Sequence, residues 1–329
     1  MTTSLSKRVV LRPYQMHAHE AITRGFDDYQ KQLAVMPTGC HAPGHPILMA
    51  DGSIEKVEVI MPGDQVMGPD STPRTVLTLH RGMDDMFEIT PVKGDPFVVN
   101  AGHILRLRRT RTGKPHEDKR PWFREISVVD YLREGRTFKH LHKLYRVAVD
   151  FANGEVSPRR IDPYILGVLL GDGSLHRGII SVCTPDPEIV AELVRYAQWV
   201  GSRVRRQPHP GNKASSYFFK GAELCYSNEY IRVLVAEWGI NVRCEYKSVP
   251  AQYKTGSQDD RKQLLAGLLD TDGYLGHSGY EYSSRSPLLS DDVVFIARSL
   301  GLAAYKAAKI VKGETYYRAS LLNHFRKEH

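Results

Sequence analysis

Two segments a hundred residues apart restate one another. YILGVLLGDG at 164–173 returns as LLAGLLDTDG at 264–273, and the stretches downstream of the two motifs correspond as well. Each motif leads into a polar strand (GIISVCT; GYEYSSR), an amphipathic helix (DPEIVAELVRYAQWVG; SPLLSDDVVFIARSLG) and two further strands (SRVRRQP and SSYFFKG; AAYKAAKIV and TYYRASLL). A repeat of this length is a supersecondary unit that buries its apolar face against its copy. The pattern therefore predicts an α+β region with pseudo-twofold αββαββα-type repeats over about 161–245 and 260–325.

The chemistry-bearing positions lie at the ends of the paired motifs. Gly167 and Gly267 fall one turn before Asp172 and Asp272. Small residues there let two helices cross in backbone contact, which brings both carboxylates to one axis. Held at helix C-termini, the two acids repel each other and face the unfavourable end of the helix dipole, so they favour a divalent cation. A lone GDG reads more simply as an acid capping a helix; two copies heading equivalent units do not.

These motifs resemble the LAGLIDADG homing endonucleases. The resemblance implies Mg²⁺-dependent hydrolysis of double-stranded DNA by a monomer with an internal pseudo-dimer, Asp172 and Asp272 serving one strand each. It makes the carbonyls of Gly171 and Thr271 further metal ligands. It also assigns Lys247, in YKSVPAQY, to a K-x-[IVL]-P block that positions or polarises the water or the scissile phosphate. DNA would lie across the repeat strands, which carry Arg203, Arg205, Arg206, Lys213, Lys220, Lys306, Lys309, Lys312 and Arg318. The two motifs differ at one acid: Leu170 stands where the second has Asp270.

Charge agrees with a phosphate partner. A net charge of +8 is gathered into RLRRTRTGKPHEDKR (106–120) and SRVRRQPHPGNK (202–213), and such runs favour a nucleic-acid backbone over a small acidic ligand. The four cysteines form no CxxC pair, which argues against a zinc site and a disulfide framework. With no apolar run long enough for a bilayer and no apolar leader, the expectation is a cytoplasmic protein without a membrane partner.

Residues 40–160 have a different texture. HPILMADGSIEKVEVI, PGDQVMG, TVLTLH, MFEIT, DPFVVN, HILRLRR and YRVAVDF read as short strands with Asp-Gly and Pro-Gly turns, and ISVVDYLREG as a helix. This predicts an all-β module. CHAPGHPILMADGSIEKVEVIMPGDQVMG and DPFVVNAGHILRL resemble the first two blocks of the Hedgehog/intein-type splicing module. The resemblance implies that the Cys40 thiol attacks the carbonyl of Gly39 while His103 protonates the departing nitrogen. Asn100 stands where that family usually has Thr, and is expected to donate to the developing oxyanion. No His-Asn pair closes the chain, so the splicing module reads as incomplete: truncated, split with a C-terminal intein fragment as a partner, or a fragment of a longer reading frame.

Before Cys40, LRPYQ, a helix, a strand and AVMPTG resemble the opening of a superfamily two helicase, with Gln15 as its adenine-contacting glutamine, broken off at Gly39 before any GK[ST]. Residues 1–39 are accordingly read as host sequence and cannot hydrolyse ATP alone. The whole reads as a multidomain, intein-borne endonuclease: host fragment 1–39, splicing half 40–160, endonuclease 161–329. Alternatives are a fragment acting chiefly in splicing and a catalytically decayed DNA-binding remnant.

Overall fold

The computed structural model describes residues 40–110, 122–151, 161–176, 180–220, 229–277 and 279–322, together with Met16, Glu20, Thr23 and Arg24. Gly39, Gln15 and the helicase-like stretch lie outside the described residues, as does most of the basic run at 106–120.

In chain order the elements begin with β1 (Pro46–Leu48), β2 (Ile54–Lys56), β3 (Gln65–Met67), β4 (Pro73–Thr75), β5 (Met86–Ile89), β6 (Phe97–Asn100), β7 (Ile104–Arg109) and β8 (Phe123–Ser127). Next come α1 (Val128–Arg133), α2 (Arg136–Leu141) and β9 (His142–Leu144). The first repeat is α3 (Pro163–Gly171), β10 (Gly173–Ser174), β11 (Ser181–Thr184), α4 (Pro187–Trp199), β12 (Arg203–Pro208), β13 (Ser215–Lys220) and α5 (Glu229–Glu237). A short α6 (Ala251–Lys254) precedes the second: α7 (Gln258–Asp272), β14 (Gly273–Gly276), β15 (Gly279–Ser284), α8 (Pro287–Ser299), β16 (Ala303–Val311) and β17 (Glu314–Leu322).

The chain divides into two compact units. The first comprises residues 1–42, 80–87 and 98–143. Its sheet has the order β8-β7-β9; β7 alternates exposed and buried side chains, with Leu105 and Leu107 turned inward, as a strand covered on one face requires. Ser127 caps α1 by accepting from the Asp130 amide.

The second unit comprises residues 43–79, 88–97 and 144–329. The antiparallel pairs β1-β2 and β3-β4 belong to it, as do both repeats. Each repeat builds a four-stranded antiparallel sheet, β10-β11-β13-β12 and β14-β15-β17-β16, so the two match in strand order as well as in sequence. α3 is apolar nearly all round because both its sides are covered, and it contributes Ile165, Leu166, Val168, Leu169 and Leu170 to the core. Helix starts follow local chemistry: Asp162, Asp186, Ser257 and Ser286 each accept from the first turn of the helix they precede, three of these helices having Pro in that turn.

Two expected strands differ. TVLTLH supplies only its first residue to β4, and Leu77 and Leu79 stand exposed, with no strand paired to them among the described residues. YRVAVDF is an irregular strap with a single bridge, Ala148 to Leu300. It is held by the fully buried Arg261, which donates to the carbonyls of Gly256 (2.9 Å) and Val149 (2.5 Å) and lies over the Phe151 ring.

Candidate catalytic centres

The acid pair is placed by a helix crossing. A Cβ at Gly167 would strike the carbonyl of Leu264, and one at Gly267 the carbonyl of Tyr164; α3 and α7 touch backbone to backbone, as the spacing predicted. One turn on, Gly171 packs against the Thr271 side chain, whose hydroxyl donates to the carbonyls of Gly267 and Leu268, both at 3.0 Å. Asp172 and Asp272 end the two helices half-buried. Burial pushes the Asp172 carboxyl up, and burial together with the Asp172 charge pushes Asp272 up to about 6. Two acids whose burial resists ionisation even beside Lys247 are where a further cation gains most.

Lys247 reaches this centre from the segment between the repeats. Its ammonium, almost wholly buried, donates to the carbonyls of Leu169 (3.2 Å), Leu170 (2.8 Å), Gly171 (3.1 Å) and Gly173 (2.8 Å). It therefore satisfies the orphan carbonyls at the end of α3. The Gly171 carbonyl, expected as a metal ligand, already accepts from it. Burial lowers its pKa to about 8 against the opposing pull of Asp272, Cys244 and Asp172. The lysine is steadied by the second repeat: Ser286 Oγ donates to its carbonyl (2.5 Å), and two residues on, the Val249 amide donates to the buried Asp292 (2.7 Å), which also pairs with Lys254 (2.9 Å). Neither Ser286 nor Asp292 stood out in the sequence, because nothing in their spacing refers to residue 247.

Asp270 has a structural partner: the Tyr164 hydroxyl donates to it at 2.9 Å across the crossing. The position matching Tyr164 in the second repeat is Leu264, so an acid at 170 would lack that partner. Tyr282 was also missed. It lies directly across from Gly273 and is fully buried; Val182 holds the same place opposite Gly173.

Strand alternation sorts the basic residues. Val204 and Phe219 face the helices, so Arg203, Arg205 and Lys220 lie on the opposite face, while Arg206 falls on the helix side and donates to Ser215 Oγ at 3.1 Å. Likewise Ala319 is buried opposite Lys306, and Lys306 is drawn to the Pro287 carbonyl (2.9 Å) and Asp291 (2.7 Å) on α8. Lys309 and Arg318 lie on the outer face, Arg318 pairing with Glu281 at 3.3 Å. Lys213 is exposed between β12 and β13, and Lys312 with Gly313 makes the two-residue turn between β16 and β17 at positive φ. Arg206 and Lys306 therefore do not share the surface expected of them, since neighbouring strand residues point to opposite faces.

In the first unit, Cys40 joins the edge of β6. The Asn100 amide donates to the Cys40 carbonyl and the Ala42 amide to the Val98 carbonyl, each at 3.0 Å. The side chain of Asn100 closes on the same residue: its Oδ1 accepts from the Cys40 N–H at 3.0 Å, while its Nδ2 donates to Asp84 at 3.1 Å. The expected oxyanion donor is thus turned the other way. A turn from Asn100 brings in His103, whose amide donates to the Asn100 carbonyl (3.1 Å) and whose carbonyl accepts from Val128 (3.0 Å). Its ring meets the ring of His41 edge to face at 4.8 Å. His41 and Asp84 are the residues of this site that sequence reasoning missed; only the adjacency of His41 to Cys40 was a signal.

Among the described residues, no group of three or more His, Cys, Asp or Glu side chains converges, and no helix is long and apolar enough to cross a membrane. Residues 40–139 match the family described as Hom_end-associated Hint. The catalytic subunit of the V-type proton ATPase of Candida tropicalis is 32% identical over 26% of this chain and 9% of its own length, and the replicative DNA helicase DnaB of Mycobacterium intracellulare is 28% identical over 76% of this chain and 41% of its own. This chain thus spans less than half of either curated relative. A crystal structure of I-DmoI in complex with DNA and Mn is similar at a TM-score of 0.35 and 12% identity, over 49% of this chain and 88% of that one. The homing endonuclease I-DmoI in its mesophilic variants is similar at 0.34 and 13%, over 49% and 87%. Over residues 40–139, this chain carries a Hint-type, intein-associated domain.

Proposed function

We propose that this chain is an intein-borne, LAGLIDADG-type endonuclease that cleaves double-stranded DNA at a specific site, acting as a monomer with an internal pseudo-dimer. The observation that carries this reading is the convergence of Asp172 and Asp272 at the ends of two helices crossing through Gly167 and Gly267. The donor set fits a hard divalent cation such as Mg²⁺: its side-chain donors are carboxylate oxygens, and both acids have raised proton affinity. Asp172, Asp272 and the carbonyl of Thr271 would hold the cation, with Gly171 O shared with Lys247. When bound, it would supply an activated water and stabilise the leaving oxygen. The protein's own share is to fix the two acids, to order the end of α3 through Lys247, and to offer Arg203, Arg205, Lys220, Lys309 and Arg318 to the phosphates.

The test is digestion, with Mg²⁺, of a plasmid carrying an uninterrupted helicase phosphate-loop sequence continuous with AVMPTG. A double-strand cut that disappears in Asp272→Asn supports the reading; undiminished cutting by that variant sinks it. One curated relative is named a helicase and the other an ATPase, which agrees with insertion in a nucleotide-binding host.

A second reading concerns the same chain's Hint-type domain. Asn100 bonds Cys40 through side chain and main chain, and the His103 ring lies against that of the next residue, His41; this supports an N-to-S acyl shift at Gly39–Cys40. Release of residues 1–39 by an added thiol tests it.

A further inference from the structure

The acyl shift is an isomerisation. The Cys40 thiol gives up its proton, its sulfur bonds to the Gly39 carbonyl carbon, the C–N bond breaks, and the nitrogen takes up a proton to leave as the Cys40 amine. No co-reactant is needed, but the direction of the leaving N–H matters, because the proton must arrive on the other side of that nitrogen.

Asn100 controls this direction. Its Oδ1 is 3.0 Å from the Cys40 nitrogen, and the main chains of the two residues are joined by a second bond of 3.0 Å. An amide side chain looks nearly the same to its neighbours in two orientations, and only one of them accepts from Cys40. The flipped form would set its NH₂ against the Cys40 N–H. What breaks the degeneracy is Asp84: its Oδ2 lies 3.1 Å from Asn100 Nδ2, and a carboxylate only accepts whereas a backbone N–H only donates. Between those two partners the amide has a single orientation that satisfies both.

We propose that Asp84 is a positioning residue of the acyl shift, acting through Asn100 to hold the scissile N–H in one direction. The inference rests on the thioester reading of the Cys40 junction. It also fits an amide standing where the splicing modules that the junction resembles usually have Thr. A hydroxyl rotates to accept from Cys40 without help, whereas an amide needs a neighbour to choose its orientation.

That difference supplies the test. Full-length wild type, Asp84→Ala, Asn100→Thr and the double variant are incubated with dithiothreitol, and release of residues 1–39 is followed by mass spectrometry, with melting temperatures measured in parallel. Asp84→Ala is expected to slow release about tenfold when Asn100 is present, the cost of one misdirected hydrogen bond, and by less than about twofold in the Asn100→Thr background. Asp84→Asn, whose carbonyl still accepts from Nδ2, is expected to fall between. Equal rates for wild type and Asp84→Ala, or an equal slowing in both backgrounds, would overturn the role of Asp84 and leave the thioester reading intact. No thiol-induced release from folded wild type would overturn the thioester reading itself.

Discussion

The two repeats are alike in everything that sets their shape and unlike in what surrounds their acids. Both start with a helix ending in aspartate, cross through a glycine, and lay four strands in the same order. Yet α3 ends among carbonyls gathered by Lys247, whereas the end of α7 faces the buried Tyr282. Position 171 is Gly and 271 is Thr; 170 is Leu and 270 an Asp held by Tyr164. Symmetry in such a pair belongs to the packing, where any residue of suitable size serves, while the polar environment of each acid depends on single side chains that one copy supplies and the other lacks.

Five measurements break or sharpen this comparison. The largest effect is expected at the acids. Asp172→Asn and Asp272→Asn should each lower double-strand cleavage by about a thousandfold or more, the scale of losing one charge-stabilising group. If each acid serves its own strand, nicked circles should accumulate in opposite strands for the two variants. Nicking of the same strand by both would show that the halves do not divide the work.

Gly167→Leu and Gly267→Leu probe the symmetric part. Each forces a side chain into the facing backbone, so each should cost about 3 kcal/mol or more, read as a lower midpoint in urea. A large cost at one position alone would mean that the crossing is not shared equally.

The acid–base balance can be read without activity. Asp272, raised to about 6 by burial and by Asp172, binds its proton more tightly in the native state than in the unfolded chain. In chelator, native stability should therefore fall as pH rises from about 4 to about 6, by up to about 3 kcal/mol, and Asp272→Asn should flatten that slope. Lys247, lowered to about 8 by burial, acts in the opposite sense: its cost is fully present below pH 8 and is relieved as pH rises towards 10.5. Thermal melts against pH check both, and a slope of opposite sign on the acid side would refute the placement of Asp272.

Smaller effects should separate the faces of the sheets. Arg205→Ala should weaken DNA binding several-fold and lower its salt dependence by about one phosphate contact, whereas Lys306→Ala, whose ammonium is committed to α8, should change binding less than about twofold. Fluorescence titrations at several salt concentrations distinguish them. Smallest of all, Tyr282→Phe removes a buried hydroxyl with at most a weak bond to Ser284 and should leave stability within about 1 kcal/mol of wild type; a larger loss by calorimetry would show that the hydroxyl is strongly bonded.

Much of this was legible beforehand. The repeat, the glycine one turn before each acid and the helix–strand order are local periodicities, and the structure carries them in the same order in both copies. That Asn100 and His103 lie near Cys40 was legible from the sequence blocks; strand β6 carries Asn100 to Cys40 and the turn after it sets the His103 ring against His41. TVLTLH is not a strand because an apolar run needs another strand beside it, and Leu77 and Leu79 find none among the described residues.

The sequence by itself determined the duplicated α+β architecture, the pair of acids at its centre and the place of Cys40 before a run of short strands, because these follow from spacing along one helix or strand. Only the tertiary structure decided what each of those groups touches. It set Lys247 against four carbonyls at the end of a helix some 75 residues earlier, turned Lys306 and Arg206 away from the outer face, and gave Asn100 its orientation through Asp84. Hydrogen bonds between distant segments depend on the position of whole elements, and neither residue type nor period encodes that.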